Sequence, residues 1–259
     1  MPSELLTERQ DRTLVLTISD PATRNTLSPQ VYAAGIEALE TAESDPGVRC
    51  VVLRGDGAHF CSGGNLQRLA HTRTIGAHEQ QASVERFHGL VEAMRAFPKP
   101  VIAAVEGAAA GGGFSLALAC DLIVAAEDAS FTMSYGRAGL SPDGGGSFHL
   151  AHALPRALAL QAIWLAEALS PRTLHEHGLV NRVTDSGQAL AEALRIADRL
   201  AAMAPNALAS AKELVNQAPG RRLAEQLDAE REHFVANLFH ANGAEGLQAF
   251  FEKRRPSFQ

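Results

Sequence analysis

The sequence predicts an α/β protein in which strand, loop and helix repeat in order before a final layer of helices. Apolar strand-like runs end in glycine-containing loops, helical stretches separate these runs, and the pattern is purely helical from about residue 187 onward. The chain has 259 residues, of which 46% are apolar and 20% are charged, with a formal net charge of -6. This length and composition are typical of one large globular body with a slightly acidic surface.

Local patterns predict the first strands and the helix between them. TLVLTIS, at 13–19, alternates apolar side chains, and CVVLRG, at 50–55, is an almost continuous apolar run. Between them, Ser28 and Pro29 supply an N-cap and a first-turn proline. The helix that they begin would present three apolar side chains: Tyr32, Ile36 and Leu39.

The middle of the chain continues the alternation. A polar stretch from about Thr74 to Phe97 is predicted to be a helix that ends before Pro98. The strand VIAAVEG follows at 101–107, and LIVAAE and FTMS are two further short strands. A second glycine loop, GLSPDGGGS, comes after them.

Two glycine-containing loops each follow a predicted strand: HFCSGGN at 59–65 and GAAAGGG at 107–113. The second is not a phosphate-binding P-loop, because Phe114 stands where lysine is needed, and it lacks the dinucleotide pattern GxGxxG. A glycine turn before a helix presents unpaired backbone N–H groups that favour negative charge. Glycines that only let a strand and a helix pack closely are the alternative. Two such loops could aim one N–H group each at the same oxygen and stabilise an oxyanion.

The chain resembles the crotonase (enoyl-CoA hydratase/isomerase) superfamily over nearly its whole length. The matching segments, in chain order, are DPATRNTLS, HFCSGGNL, PKPVIAAVEGAAAGGGFSLALACDLIVAAEDASF, GLSPDGGGS, SPRTLHEHGLVNRV and AFFEKRRPSF. The resemblance implies a ClpP/crotonase spiral of strand–strand–helix repeats and a C-terminal helical region that builds a homotrimer or a dimer of trimers. It also implies an acyl-CoA thioester as substrate and no cofactor, since coenzyme A is part of the substrate.

We therefore expect two regions in the chain. Residues 1–195 would form the spiral core with the CoA-thioester site, and residues 196–259 would form the helical region for oligomerisation and pocket closure. The resemblance places the backbone N–H groups of Gly64 and Gly112 as the two oxyanion donors. It implies the following residues for binding substrate and CoA: Arg24, Ser62, Gly63, Asn65, Leu66 and Lys253. For the Arg and the Lys, a solvated surface charge is the alternative.

Departures from the family pattern bear on the reaction. Hydratases of this family use two glutamates, and Ser115 and Tyr135 stand at the matching positions. Asp143 falls where the isomerase branch and the 4-chlorobenzoyl-CoA dehalogenases carry a catalytic aspartate, although an aspartate before three glycines is also typical of a turn or an N-cap. The surrounding segments most resemble the ring-epoxide phenylacetyl-CoA isomerase and alternative-type oxepin-CoA hydrolase subgroup. We expect a one-base isomerisation by Asp143, with Ser115 and Tyr135 as further candidate catalytic residues.

An enoyl-CoA hydratase that adds water by a route other than the two-glutamate one stays open, and so do three further alternatives. His88 aligns with the dehalogenase histidine that activates water, which would permit hydrolysis through an aspartyl intermediate, although a lone helical histidine is more often structural. Ser115 lies in GFSLA, close to the nucleophile elbow GxSxG, which with His149 or His152 would indicate a serine thioesterase. A catalytically inactive acyl-CoA-binding or RNA-binding homologue is the third.

Composition and cysteine spacing indicate which binding partners and which cellular compartment to expect. The acidic balance and the absence of a lysine-rich helix disfavour nucleic acid. Cys50, Cys61 and Cys120 lack metal-binding or disulfide spacing and are expected to be reduced, and no metal site is predicted. The apolar run from Pro100 to Cys120 is better explained by a buried strand and helix than by a membrane span. With no export signal visible, we expect a cytoplasmic protein.

Overall fold

Residues 3–259 are described by a computed structural model, and in this range the chain has eight β-strands and eleven α-helices. The strands are β1 (Glu4–Gln10), β2 (Thr13–Ser19), β3 (Cys50–Gly55), β4 (Val101–Val105), β5 (Ala108–Ala110), β6 (Leu122–Ala126), β7 (Ser130–Thr132) and β8 (Arg182–Thr184). The helices are α1 (Pro29–Ser44), α2 (Leu66–Ile75), α3 (Ala77–Ala96), α4 (Gly112–Ala119), α5 (Gly146–Ala153), α6 (Arg156–Leu165), α7 (Pro171–Glu176), α8 (Ala189–Ala201), α9 (Pro205–Gln217), α10 (Leu223–Phe239) and α11 (Ala241–Glu252).

Six of the strands form one sheet in the order β1-β2-β3-β4-β6-β8. Strands β1 and β2 are an antiparallel hairpin, and every later pair in this sheet is parallel. Strands β5 and β7 pair in parallel as a second, two-stranded sheet. In parallel sheets, strands covered on both faces are near-continuous apolar runs, and all five residues of β4 are buried.

Helices cover both faces of the larger sheet. Helices α1 and α3 supply apolar side chains to the main core, which also contains the whole of α4 except its glycines and Ser115. On the other face, α8 buries a ladder of small side chains: Ala189, Ala193, Ala197 and Ala201. The first three of these alanines pack on side chains of four strands: Val15, Cys50, Val52, Ile102, Ala104 and Val124. The expected boundary after residue 195 falls inside α8, which lies on the sheet as one continuous helix.

Most of the strands and helices agree with the sequence patterns. The Ser28 side chain accepts a hydrogen bond from the Val31 amide, as predicted for an N-cap. The helix predicted from Thr74 to Phe97 is instead two helices, because Gly76, with φ of 146°, separates α2 from α3. Helix α2 was not predicted, although Asn65 caps it by accepting hydrogen bonds from two amides.

A shielded ion pair fixes α9 to the body of the protein. Lys212 and Asp121 are 2.8 Å apart, and their side chains are only 11% and 24% exposed. Lys212 also donates to the Met94 carbonyl near the end of α3, and Asp121 accepts from the Val101 amide. Burial raises the pKa of the Asp121 carboxyl, and the Lys212 charge opposes this effect. The pair therefore links α9, α3 and the start of β4.

Replacing Lys212 tests this link. We expect Lys212→Met to leave the Asp121 carboxylate shielded without its cation, which lowers stability by about 2 kcal/mol and Tm by about 4–8 °C. Arg231→Met, which removes an exposed pair with Asp228, should change Tm by less than about 2 °C. Thermal unfolding at one fixed protein concentration measures both variants, and equal effects would contradict a special role for Lys212.

Candidate active site

The two glycine-containing loops lie side by side. Cys61 donates its backbone N–H to the Ala108 carbonyl at 3.0 Å, and Ala110 donates to the Cys61 carbonyl at 2.9 Å. These two bonds form a parallel bridge between the loop that leaves β3 and strand β5. The bridge holds the loop after β3 beside the N-terminus of α4.

Gly63 lets the loops approach further than any other residue would. Its φ is 86°, and a Cβ atom there would lie 2.5 Å from the Ala110 carbonyl oxygen and 2.9 Å from the Gly112 nitrogen. The next residue along the first loop is Gly64, so both proposed oxyanion donors belong to this contact region. The two loops are therefore in contact, and the oxyanion role of their amides stays a prediction.

The backbone N–H groups of Gly64 and Gly112 are each left out of a local backbone hydrogen bond, for different reasons. Gly112 is the first residue of α4, so its N–H group has no carbonyl one turn back within the helix. At Gly64, the bridge to Leu27 uses the Gly63 carbonyl as acceptor, at 2.8 Å from the Leu27 amide, and leaves the Gly64 N–H group out of that bond. All eight residues of α4 are buried, so the partial positive charge at its N-terminus acts in a poorly solvated place.

Three site candidates form a hydrogen-bonded chain. The Tyr135 hydroxyl donates to Oδ1 of Asp143 at 2.6 Å, and it lies 3.1 Å from the hydroxyl of the fully buried Ser115. Ser115 and Tyr135 are the residues that the sequence resemblance matches to the two hydratase glutamates. This hydrogen-bonded series therefore contains one carboxylate, that of Asp143, and two hydroxyl groups on one side of it.

Tyr135 is a stable hydrogen-bond donor. Burial of its hydroxyl raises its pKa above the ordinary value, and the negative charge of Asp143 raises it further. The hydroxyl thus stays protonated at neutral pH and orients the Asp143 carboxylate, which is half-buried. An O–H group that donates to a carboxylate makes a stronger bond than one between neutral groups.

The loop that carries Asp143 is packed tightly against the rest of the site. Gly144 has φ of 57°, and a Cβ atom there would lie 2.3 Å from the Phe87 ring. The same ring lies 3.6 Å from the corresponding position of Gly112. Phe87 therefore touches both the Asp143 loop and the N-terminus of α4, which brings the carboxylate and the oxyanion donors to one region.

Of the residues predicted to bind CoA, Arg24, Ser62, Asn65 and Leu66 lie at the first loop or beside it and are at least partly exposed, whereas Gly63 is buried between the loops. Arg24 is exposed, and its carbonyl accepts the Ser62 amide at 3.0 Å. The Ser62 hydroxyl donates to the Thr23 carbonyl, and the Asn65 side chain caps α2, so both polar groups hold the loop in place. Leu66 is 64% exposed.

Lys253 lies apart from these residues. It is the exposed C-cap of α11 and has φ of 55°. No hydrogen bond or ion pair among the described residues connects its side chain to the site. A contact with a ligand of a neighbouring subunit stays a prediction.

The structure does not bring the candidate histidines to the hydroxyl groups or to Asp143. His88 is exposed on α3, whereas the adjacent Phe87 points inward. Ser115 has Tyr135 as its hydroxyl partner, and no hydrogen bond between residues 3 and 259 joins it to His149 or His152. This geometry lacks the serine–histidine pair of a nucleophile elbow.

Arg68 and Tyr32 were not recognised as site residues from the sequence. Tyr32 stacks on Phe87 with ring centroids 5.2 Å apart. Nη1 of Arg68 donates to the Ser83 hydroxyl at 3.1 Å, and its guanidinium lies beside the Tyr32 hydroxyl. Burial raises the pKa of Tyr32 to about 12, with Arg68 opposing and Asp143 adding to the effect. The Asn65 cap, which begins α2 and places Arg68 in its first turn, is the only local signal.

The chain belongs to the enoyl-CoA hydratase/isomerase family, the crotonase family, whose model matches residues 8–259. It is 35% identical over 255 residues to 1,2-epoxyphenylacetyl-CoA isomerase of Escherichia coli (strain K12), covering 98% of this chain and 97% of that protein. It is 33% identical to 2,3-dehydroadipyl-CoA hydratase of the same organism, covering 99% of both proteins. The crystal structure of an enoyl-CoA hydratase from Polaromonas sp. JS666 has a TM-score of 0.98 and 55% identity, covering 99% of this chain and 100% of that one.

The family match confirms the predicted crotonase fold and family membership. Among residues 3–259, no helix has both the length and the apolar character that crossing a membrane requires. In the same range, no group of three or more His, Cys, Asp or Glu side chains is placed to hold a metal ion. The three cysteines are unpaired and buried.

The contact at Gly63 can be tested by adding one methyl group. The added methyl group of Gly63→Ala should clash with two backbone atoms of the neighbouring loop. The control is Gly57→Ala, where φ is 67° and nothing lies within 4 Å, so the only cost is that of placing alanine in the left-handed backbone region. We expect Gly63→Ala to be less stable than Gly57→Ala by about 2 kcal/mol, a Tm difference of about 4–8 °C. Equal Tm values would show that the loops can separate freely.

Proposed function

We propose that this protein isomerises an acyl-CoA thioester, with Asp143 as the single base and acid. Family membership supports the CoA thioester as substrate class, and the names of the relatives include both an isomerase and hydratases. The observation that carries the proposal is the Ser115–Tyr135–Asp143 chain, which has one carboxylate where two-glutamate hydratases have an acid and a base.

The proposed reaction moves one proton through Asp143. The backbone N–H groups of Gly64 and Gly112 donate to the thioester oxygen, which makes the adjacent C–H groups more acidic. The Asp143 carboxylate accepts a proton from carbon, and the electron pair of that C–H bond passes into an enolate. The protonated Asp143 then returns the proton to another carbon of the enolate, so the substrate changes its bonding and keeps its mass.

In this proposal Tyr135 and Ser115 position the base. Tyr135 donates to Oδ1 of Asp143, which leaves Oδ2 for the substrate proton. Its raised pKa disfavours a second role as a base at neutral pH. Ser115 holds the Tyr135 hydroxyl from the first turn of α4. A fatty acyl or aromatic acyl group, as in the degradation of phenylacetate-type acids, fits the subgroup resemblance.

Asp143→Asn tests the mechanism. Because the amide cannot accept the proton, we expect turnover to fall by about 10²–10⁴-fold, with acyl-CoA affinity changed less than about twofold. The substrates are crotonyl-CoA, a 3-enoyl-CoA and a phenylacetyl-CoA epoxide, each followed by absorbance and mass. Asp128→Asn, in the exposed turn between β6 and β7, is the matched control and should keep full activity.

Two outcomes would contradict this mechanism. A gain of one water mass that survives in Asp143→Asn would indicate hydration or hydrolysis by other residues. Loss of activity in Asp128→Asn to the same extent would show that the assay reports general damage.

We further propose that the C-terminal helices assemble the chain into a homotrimer or a dimer of trimers. Helices α10 and α11 expose a set of large apolar side chains: Leu223, Leu227, Phe234, Val235, Leu238, Phe239, Leu247, Phe250 and Phe251. An exposed apolar surface of this extent is typical of an interface between subunits.

Light scattering tests the assembly directly. We expect a solution mass of three or six times the chain mass of 27.5 kDa. Phe234→Asp, whose side chain is 68% exposed on α10, should lower that mass, because a charge cannot be buried in an apolar interface without a partner. A monomer at micromolar concentration would contradict the proposal.

A further inference from the structure

Arg68 is a half-buried cation without an anionic partner. Its Nε atom is buried and has no hydrogen-bond partner among residues 3–259. None of the ion pairs formed within residues 3–259 includes Arg68. Buried N–H groups are nearly always hydrogen-bonded in folded proteins, and charged groups without partners are costly to bury. An unpaired guanidinium beside a catalytic region is therefore a candidate ligand-binding group.

Arg68 lies close to the loop that carries Gly64. It lies in the first turn of α2, three residues after the Asn65 cap and four after Gly64. Its guanidinium lies beside the hydroxyl of Tyr32, and the Tyr32 ring stacks on Phe87. Phe87 in turn touches the Asp143 loop and the N-terminus of α4. The guanidinium is thus separated from the reacting region by one layer of aromatic side chains.

The free edge of the guanidinium has a defined shape. Nη1 is already bonded to the Ser83 hydroxyl, and Ser83 is itself buried. The other edge carries Nη2 and the buried Nε, which has no partner within residues 3–259, and the Tyr32 hydroxyl lies close to the guanidinium. Two parallel N–H groups of this kind match the two oxygens of a carboxylate, and lysine cannot reproduce the fork.

We propose that Arg68 binds a carboxylate carried by the acyl group, so that the preferred substrate is a CoA monothioester of a dicarboxylic acid. This inference rests on the proposed function in that the substrate is an acyl-CoA thioester. The thioester oxygen is assigned to Gly64 and Gly112, and therefore the carboxylate is at the far end of the acyl chain. The CoA phosphates stay at the exposed side of the loop near Arg24, where no aromatic layer shields them.

Binding of unreactive ligands tests the inference without relying on turnover. The probes are saturated CoA thioesters in matched pairs: succinyl-CoA with butyryl-CoA, glutaryl-CoA with pentanoyl-CoA, and adipyl-CoA with hexanoyl-CoA. Titration calorimetry on the wild-type protein should show that one diacid thioester binds at least about 10-fold more tightly than its monoacid partner. A hydrogen-bonded pair of opposite charges contributes an affinity ratio of about this size.

Variants on one helix assign the effect to Arg68. We expect Arg68→Met to reduce the diacid preference to less than about twofold, with monoacid affinity unchanged, and Arg68→Lys to retain part of it. Arg73→Met removes the same charge from an exposed position on α2 and should keep the full preference. Circular dichroism checks that each variant is folded, and Arg68→Lys serves if Arg68→Met is not.

Three results would overturn the inference. Equal wild-type affinity for diacid and monoacid at every chain length removes the carboxylate subsite while leaving the proposed function intact. Retention of the preference in both Arg68 variants assigns the subsite to other residues. Failure of every acyl-CoA thioester to bind overturns the proposed function and the inference together.

Discussion

The close contact between the loop after β3 and the N-terminus of α4 is the constraint on which the site depends. Backbone hydrogen bonds between Cys61 and strand β5 hold the loop there, and Gly63 allows an approach that any side chain would prevent. Because the contact is made by main-chain atoms, it does not depend on rotamers, and it gives two amide groups a fixed relation to one another. The Asp143 loop and Phe87 are packed against this arrangement.

The hydrogen-bonded chain of Ser115, Tyr135 and Asp143 contains one carboxylate and two hydroxyl groups, which limits what the proposed site could do with protons. A carboxylate can accept a proton and return it, whereas a buried tyrosine whose pKa is raised keeps its proton at neutral pH. In the proposed function, the two hydroxyl groups therefore orient the Asp143 carboxylate and take no part in proton transfer. One titratable group that returns its own proton suits an isomerisation, in which nothing is added to the substrate.

Much of the fold and part of the site could be predicted from sequence. Strands such as β2 and β3 are apolar runs bounded by turns, and Ser28 and Pro29 begin α1 by local chemistry alone. The limits have physical causes. Helix α2 carries few apolar residues and is capped by Asn65, so periodicity did not show it. The Tyr135–Asp143 bond joins residues whose approach depends on the loop between them, and Arg68 acquires meaning only when α2 and α3 are packed together.

The burial of α4 also determines how the site responds to ionic strength. At 0.1 M salt, dissolved ions largely screen interactions between exposed charges that are more than about 10 Å apart, whereas they screen buried groups, such as those around the eight buried residues of α4, much less. The attraction between the α4 amides and a negative oxygen should thus be nearly independent of salt. Attraction between CoA phosphates and the exposed Arg24 would instead weaken as salt is added. In the proposed function, capture of the nucleotide end and activation of the thioester would therefore differ in their dependence on salt.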